Sequence, residues 1–439
     1  MTRVRIPPTL EAVSLEALRK DSAAFSAEQD GKYLHWEELR RRPPRPEITH
    51  EQWWSVVKLA RQNIRRRLPC TDQNGTPFTF GMTDMVQRLV HEVDREASGR
   101  IELPEDVTNP AVRDRYIVSS LIEEAFRSSQ LEGASTTRHM AKEMIRTKRE
   151  PRTQSERMIL NNFYAMEWVR EHKTEELTLP LLLELHAIVT KETLDLPDAA
   201  GRFRKEDEPI HVIDPHDDEV VHTPPAAAQL PERIGLLCTF ANGAGKDEPF
   251  IHPVVRAILV HFWLAYDHPF VDGNGRTARV LFYWSMLRQG YWLTEFISIS
   301  RVIKKSRIQY DRAFIYTETD DNDATYFILN QLGVLSQAID ELAIYLKKKS
   351  KEVRELEKQL RGQDDLNHRQ LAVLSYMLRH PDARITIEGH QTSHRVVHQT
   401  ARTDLLGLVV RGFLQQTKVG KKLYFAPGGD IHRKLRQVK

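Results

Sequence analysis

The chain has 439 residues, with 64 Lys+Arg against 61 Asp+Glu and a formal net charge of +3. Its length allows roughly two to four domains with ample buried core. The two cysteines, Cys70 and Cys238, lie too far apart in sequence for a disulfide framework or a cysteine zinc site, which fits a reducing cytoplasm. No signal-like N-terminal stretch, bilayer-length apolar run, HExxH or Walker-type GxxxxGK loop occurs, so a cytoplasmic protein with no membrane segment is expected.

In chain order, a proline-punctuated segment through Pro46 reads as an extended surface arm. Glu51 to Arg65 reads as a helix, with Trp53 and Trp54 near its start. Leu68 to Phe80 reads as a hairpin turning at Asn74-Gly75, and Met82 to Glu96 as an amphipathic helix. No catalytic set stands out here, and a helical scaffold or partner surface is the expectation. The apolar stretch Ile117 to Phe126 is helical, and Ser128-Ser129-Gln130-Leu131-Glu132-Gly133 follows it. Taken alone, Glu132 ahead of a glycine is an exposed carboxylate on a capping turn.

Glu208 to His222 has β-branched runs around an Asp-rich turn and reads as a hairpin. Pro253 to Tyr266 and Thr277 to Leu287 read as largely apolar helices. Between them lies His268-Pro-Phe-Val-Asp272-Gly273-Asn274-Gly275-Arg276-Thr-Ala-Arg279. Glycines at a helix start let backbone N–H groups approach an anion, and the helix dipole favours one. Asp272 is suited to a hard cation such as Mg²⁺. Arg276 and Arg279, three apart, share a helix face and can bracket a polyphosphate. His268 is the one side chain of the stretch whose ordinary pKa allows proton uptake near neutrality. The set describes a phosphate-transfer site, although a lone GNG is more often only a turn.

Leu332 to Leu360 reads as a long charged helix, and the composition shifts beyond it. Residues 346–439 carry 20 of the Lys+Arg and only 9 of the Asp+Glu. There Asn367 to Arg379 reads as a helix, Ile385 to Ile387 as a strand and Val396 to Val410 as a helix stopped by Gly412. Phe413 to Phe425 reads as a two-stranded wing around Gly420-Lys421-Lys422. The expected division is 1–100, 101–335, a linker helix 336–364, and 365–439.

These motifs carry two resemblances. His268 to Arg279 resembles the Fic-family signature HxFx(D/E)GNGRxxR at every fixed position, and AGRFR, HTPP and HPVVRA resemble the approach to it, over roughly residues 115–335. The resemblance implies a mainly α fold with a β-hairpin flap, and transfer of AMP from ATP to a Ser, Thr or Tyr hydroxyl of a protein. It makes His268 the base, Asp272 the Mg²⁺ ligand, and Gly273, Asn274 and Gly275 the anion hole. Arg276 would take the β-phosphate and Arg279 the γ-phosphate. Ser128 to Gly133 resembles the family's inhibitory motif, (S/T)xxxE(G/N), which implies that Glu132 pairs with Arg279 and blocks the γ-phosphate. It also implies possible removal of AMP at the same site, and frequent homodimers. His398 to Leu408 resembles the recognition helix of winged helix-turn-helix domains, a small α+β fold. Gln399, Arg402 and Thr403 would then face DNA bases, and Lys421 and Lys422 phosphates. The alternative is a DNA-binding transcriptional regulator whose Fic domain senses ATP or modifies only itself.

Overall fold

A computed structural model describes residues 4–9, 24–97, 110–147, 149–213, 219–243, 249–360, 366–379, 383–394, 396–419 and 422–428. The fold is mainly α. Contacts gather the chain into two compact units, residues 1–343 and 344–439.

In the first unit, helices α1 (Trp36–Leu39), α2 (His50–Gln62) and α3 (Asp84–Arg95) flank a hairpin of β1 (Arg65–Thr71) and β2 (Pro77–Gly81). Thr49 starts α2 through a capping box with Gln52. The helix stops at Gln62 rather than Arg65, because Arg65 to Arg67 pair with Gly81 to Thr79 in the hairpin. The hairpin turns where expected: Asp72 Oδ1 accepts the Asn74 and Thr76 N–H groups, both at 2.8 Å.

From residue 24 on, the described part of the segment before Pro46 is not an extended surface arm. Its Ala24, Leu34, Trp36 and Leu39 are buried with Trp53, Trp54, Val56 and Val57 of α2. Prolines punctuate this segment, but burying its aromatic and aliphatic side chains decides its course.

The functional part of the unit begins with α4 (Pro110–Leu131), α5 (Arg138–Thr147), α6 (Gln154–His172) and α7 (Leu179–Thr190). A two-stranded flap follows, β3 (Val212–Ile213) with β4 (Val220–His222), while residues 214–218 of its turn lie outside the described residues. Helices α8 (Leu230–Asn242), α9 (Pro253–Asp267) and α10 (Asn274–Arg288) come next, then α11 (Ile299–Lys305), α12 (Arg307–Thr319) and α13 (Thr325–Leu360). Helices α9 and α10 are buried on nearly every side and pack on each other. A helix apolar all round belongs at the centre of its domain, and that position makes the α9–α10 turn a rigid mount. Helix α4 packs on α6 and α11, which brings its C-terminal turn to the start of α10.

The second unit contains α14 (His368–Arg379), β5 (Ile385–Thr386), α15 (Ile387–His394), α16 (His398–Val410), β6 (Leu414–Val419) and β7 (Lys422–Pro427). The sheet order is β5-β7-β6, antiparallel throughout. Helix α15 replaces the end of the expected strand and the loop after it. Its sequence holds Gly389 and little apolar periodicity, so nothing local announces a helix. It forms because Thr386 Oγ1 accepts the Gly389 N–H at 3.1 Å and because His390 is buried against Asp404.

Candidate active site

His268 is the C-terminal cap of α9, in the left-handed region at φ 45° and ψ 55°. Such a conformation costs a non-glycine residue energy and persists only when its surroundings hold it. Here they do. Its N–H donates to the Leu264 carbonyl at 3.1 Å, and its own carbonyl accepts from Arg204 Nε at 2.9 Å. The Arg204 N–H meets the Pro269 carbonyl at 2.9 Å, and its guanidinium also reaches the Pro225 carbonyl.

His268 Nδ1 lies 2.9 Å from the Ala265 carbonyl. A carbonyl only accepts, so Nδ1 carries the hydrogen and the lone pair of the neutral ring sits on Nε2. Burial holds the imidazole below its ordinary pKa, aided by the nearby His222 and opposed by the Ala265 carbonyl. The ring is therefore neutral at pH 7 and able to take a proton.

The turn itself is cross-braced. The buried Asn274 side chain accepts the Phe270 N–H at 3.0 Å and donates to the Phe270 carbonyl at 2.8 Å. The side chain is thereby held on Phe270, and the backbone N–H of Asn274 stays at the helix start. Gly273, at φ 83°, precedes α10 without capping it by a side chain. The first N–H groups of the helix are thereby directed at the turn.

His186 on α7 fastens the turn from below. Its Nε2 meets the Asp272 carbonyl at 2.9 Å, its Nδ1 accepts the Gly201 N–H at 3.0 Å, and its ring stacks on Phe270 at 3.7 Å. Burial holds its pKa down at about 4, so it is a neutral brace rather than a base. Neither His186 nor Arg204 is marked by its sequence as a site residue: Arg204 closes the AGRFR run, and His186 sits in an apolar helix with no motif around it.

Asp272 is half exposed. Its Oδ1 accepts the Gly273 N–H at 2.6 Å and its Oδ2 accepts from Arg276 at 2.9 Å. Arg276 is fully buried, and its other terminal nitrogen donates to the Val189 carbonyl at 3.2 Å. Among the described residues no group of three or more His, Cys, Asp or Glu could hold a metal ion. One open carboxylate beside anion-directed N–H groups suits Mg²⁺ arriving with phosphates, and does not form a cage for a resident ion.

Arg279, also buried, is committed on the far side of the turn. Its Nε donates to Ser128 Oγ at 2.9 Å, and its Nη2 donates to the Ser128 carbonyl at 3.1 Å and to Glu132 Oε1 at 2.8 Å. Burial pushes the Glu132 carboxyl upward, but the charge of Arg279, helped by Arg276 and Arg307, brings it below the ordinary glutamate range. At Gly275 a Cβ would stand 2.4 Å from Glu132 Oε1, so the absent side chain is what lets the carboxylate close over the turn. Arg307 donates to the Leu131 carbonyl at 3.0 Å and Lys304 reaches the Gln130 carbonyl at 3.4 Å, steadying the C-terminus of α4.

Residues 176–286, which hold every residue of this turn, match the Fic/DOC family. The chain carries a Fic domain. A protein of Nematostella vectensis named protein adenylyltransferase Fic is 27% identical over 211 residues, covering 47% of this chain and 46% of that protein. A protein of Drosophila virilis with the same name is 33% identical over 135 residues, or 30% of this chain and 25% of its own length. The chain thus spans less than half the length of these curated relatives. Among solved structures, a Fic family protein from Desulfovibrio desulfuricans G20 matches with TM-score 0.51 and 19% identity, covering 79% of this chain and 97% of that one. Fic-1 of C. elegans matches with TM-score 0.50 and 15% identity, covering 76% and 84%. Around the Fic domain, the structure brings Ser128 and Glu132 onto Arg279 from a helix that precedes the matched residues.

In the second unit Ala401, Asp404, Leu405 and Leu408 of α16 are buried, while His398, Gln399, Arg402 and Thr403 are exposed. Lys422 is exposed at the start of β7, and Lys421 lies outside the described residues. No helix among the described residues is long and apolar enough to cross a membrane.

Proposed function

We propose that the Fic domain transfers AMP from ATP to a protein hydroxyl and that Glu132 holds it in a resting state. The observation that carries this reading is the occupancy of Arg279. A buried guanidinium beside an anion-directed helix start is satisfied by a serine and a carboxylate, the kind of oxygen contacts that phosphate would make.

The target hydroxyl gives its proton to His268 Nε2 as its oxygen bonds to the α-phosphorus. The bond from that phosphorus to the bridging oxygen breaks, and pyrophosphate leaves. Backbone N–H groups at Gly273 to Gly275 stabilise the charge that builds on the α-phosphate oxygens, that of Gly273 after exchanging its Asp272 Oδ1 contact for phosphate oxygen. Mg²⁺, when bound at Asp272, would neutralise phosphate charge. Asp272 and Arg276 neutralise each other at 2.9 Å, and Arg276 would exchange that partner for β-phosphate oxygen. Arg279 takes the γ-phosphate only after Glu132 leaves it. The adenylyltransferase names of the relatives support this chemistry.

Incubation of the Glu132→Gly chain with ATP labelled on the α- or the γ-phosphate tests the reading. Label from the α-position alone is expected on protein, more than with the unaltered chain, and none after adding His268→Ala, which should still bind ATP. Transfer of γ-label, or undiminished transfer by His268→Ala, would overturn it.

For the second unit we propose a winged helix that binds DNA through Gln399, Arg402 and Thr403, with Lys422 and Lys421 on phosphates. The exposed polar face of α16 over its buried Ala401, Leu405 and Leu408 supports this. In gel shifts, binding should fall as salt rises and weaken in Arg402→Ala. Salt-insensitive or absent binding would favour a protein-interaction module.

A further inference from the structure

His222, on the flap strand β4, occupies a position that the chemistry above leaves unused. Its Nδ1 lies 2.9 Å from Glu318 Oε2 on α12 and its Nε2 lies 2.7 Å from the Tyr266 carbonyl on α9. A carbonyl and an ionised carboxylate both only accept, so a ring bridging the two needs a hydrogen on each nitrogen. The imidazole is almost fully buried and packs beside the Tyr266 ring at 4.6 Å.

The last turn of α9 has carbonyls that no helical N–H reaches. His268 takes the Ala265 carbonyl, His222 takes its neighbour on Tyr266, and Arg204 takes the carbonyl of His268 itself. The flap strand and the base are thus tied to adjacent carbonyls of one helix turn.

We infer that His222 is a positioning residue for the transfer reaction: as a two-donor imidazolium between Glu318 and the Tyr266 carbonyl, it fixes the flap to the helix end that presents His268. The inference rests on the AMP-transfer reading. The titratable groups around His222 are Glu318 on α12, Tyr266 and Asp267 on α9, and His268 beyond it; Asp267 is itself paired with Arg233 of α8 at 2.7 Å. Burial works against a charge on His222, and the Glu318 carboxylate, the Tyr266 carbonyl and Asp267 overcome it, so its pKa stands above the ordinary value.

Two pH limits follow. The base must be neutral, so activity is lost as pH falls through the lowered pKa of His268. The tie must be charged, so it is complete below the ordinary histidine pKa and lost as pH rises through the raised pKa of His222. A bell-shaped profile results, with His268 on the acid limb and His222 on the alkaline limb.

The test uses the full chain carrying Glu132→Gly, alone and with His222→Gln or Glu318→Gln, with histidine ring signals titrated by NMR alongside nucleotide transfer and thermal melts. His222→Gln is expected to lower kcat by about 10- to 100-fold, since a small displacement of a reacting group costs that much, with KM for ATP within about twofold. Its alkaline limb should vanish and its acid limb move to higher pH, because the neighbouring charge no longer depresses His268. Glu318→Gln should move the alkaline limb to lower pH. Parent-like kcat and profile in a folded His222→Gln would overturn the inference, as would a His222 that titrates like a free histidine. Absence of transfer by the Glu132→Gly parent would instead overturn the AMP-transfer reading, and the ring titrations would still decide whether His222 is the charged tie.

Discussion

Three histidines touch the turn or the helix end that leads into it, and their hydrogen-bond partners give each a different protonation state. His186 bridges a donor and an acceptor, so it is neutral with its hydrogen on Nε2. His268 meets one acceptor and keeps Nε2 for a proton. His222 meets two acceptors and is doubly protonated. The spacing of His268, Asp272, Arg276 and Arg279 was legible in the sequence, because it lies in one run of residues. Ser128 could be read beside them only through its own motif, and the remaining partners were not legible, because His186 and Val189 come from α7 and Arg204 from the segment after it. Gly273 illustrates how tightly those segments close. At φ 83° it adopts a conformation costly to other residues, and a Cβ there would stand 2.7 Å from Thr190 Cγ2. Gly273→Ala should therefore lose about 2 kcal/mol of stability from strain and overpacking. Chemical denaturation checks this, and an unchanged unfolding midpoint would show that the turn relaxes freely.

At the scale of elements, α4 runs on past the apolar stretch Ile117 to Phe126 and ends at Leu131, where Glu132-Gly133 reads as a capping turn. Serine competes for backbone hydrogen bonds and disfavours a helix interior. In place the two serines do not stop it: Ser129 Oγ donates back to the Ala125 carbonyl at 2.8 Å, and Ser128 Oγ accepts from Arg279. The contact with Arg279 is thus made by Ser128 in the last turn of a long helix and by Glu132 in the turn that directly follows it. Three acceptor atoms share the hold on the guanidinium, the Ser128 hydroxyl, the Ser128 carbonyl and Glu132 Oε1, so removing the hydroxyl alone should release it only partly. Ser128→Ala is expected to raise transfer above the unaltered chain but below Glu132→Gly, which compared initial rates will show; a Ser128→Ala rate equal to either extreme would contradict shared holding. The contact also has a pH sign. The Glu132 pKa is lowered in the fold, so its contribution is full above the ordinary glutamate pKa and is lost only as pH falls through the lowered value. Restraint by Glu132 should accordingly be constant from about pH 6 to 8, and the ratio of Glu132→Gly to unaltered activity should not change across that range.

Across the whole molecule, the near-neutral formal charge conceals two different distributions. The basic excess of residues 346–439 was countable in the sequence. A compact buried set of charges in the first unit was not, since it joins residues more than 250 positions apart. Lys58 and Arg61 of α2 meet Asp320, at 2.5 Å and 3.5 Å, in the turn before α13. Arg65 meets Asp323 at 3.2 Å, and Tyr33 donates to the same carboxylate at 2.6 Å. This network, with the Thr79 to Asn322 and Ala324 backbone bonds, fastens the N-terminal helices and hairpin to the end of the Fic-containing unit. Helical spacing puts Lys58 and Arg61 on the same face as Trp54 and Val57, but the carboxylates they meet there come only with the chain's return at Asp320 to Asp323. Two buried cations share Asp320; its loss leaves Lys58 only the exposed Asp321 carboxylate at 2.7 Å and Arg61 only neutral oxygens, so charge is left under-compensated rather than a bond merely deleted. Asp320→Ala should cost about 3–5 kcal/mol, far more than an exposed ion pair at about 0–1 kcal/mol. Because the network lies in the first unit, the loss should fall on the unfolding of residues 1–343. Calorimetry of the full chain, with hydrogen exchange to assign each transition, checks this. A shift confined to the transition of residues 344–439, or a loss below about 1 kcal/mol, would show that Lys58 and Arg61 find water or other partners when Asp320 is gone.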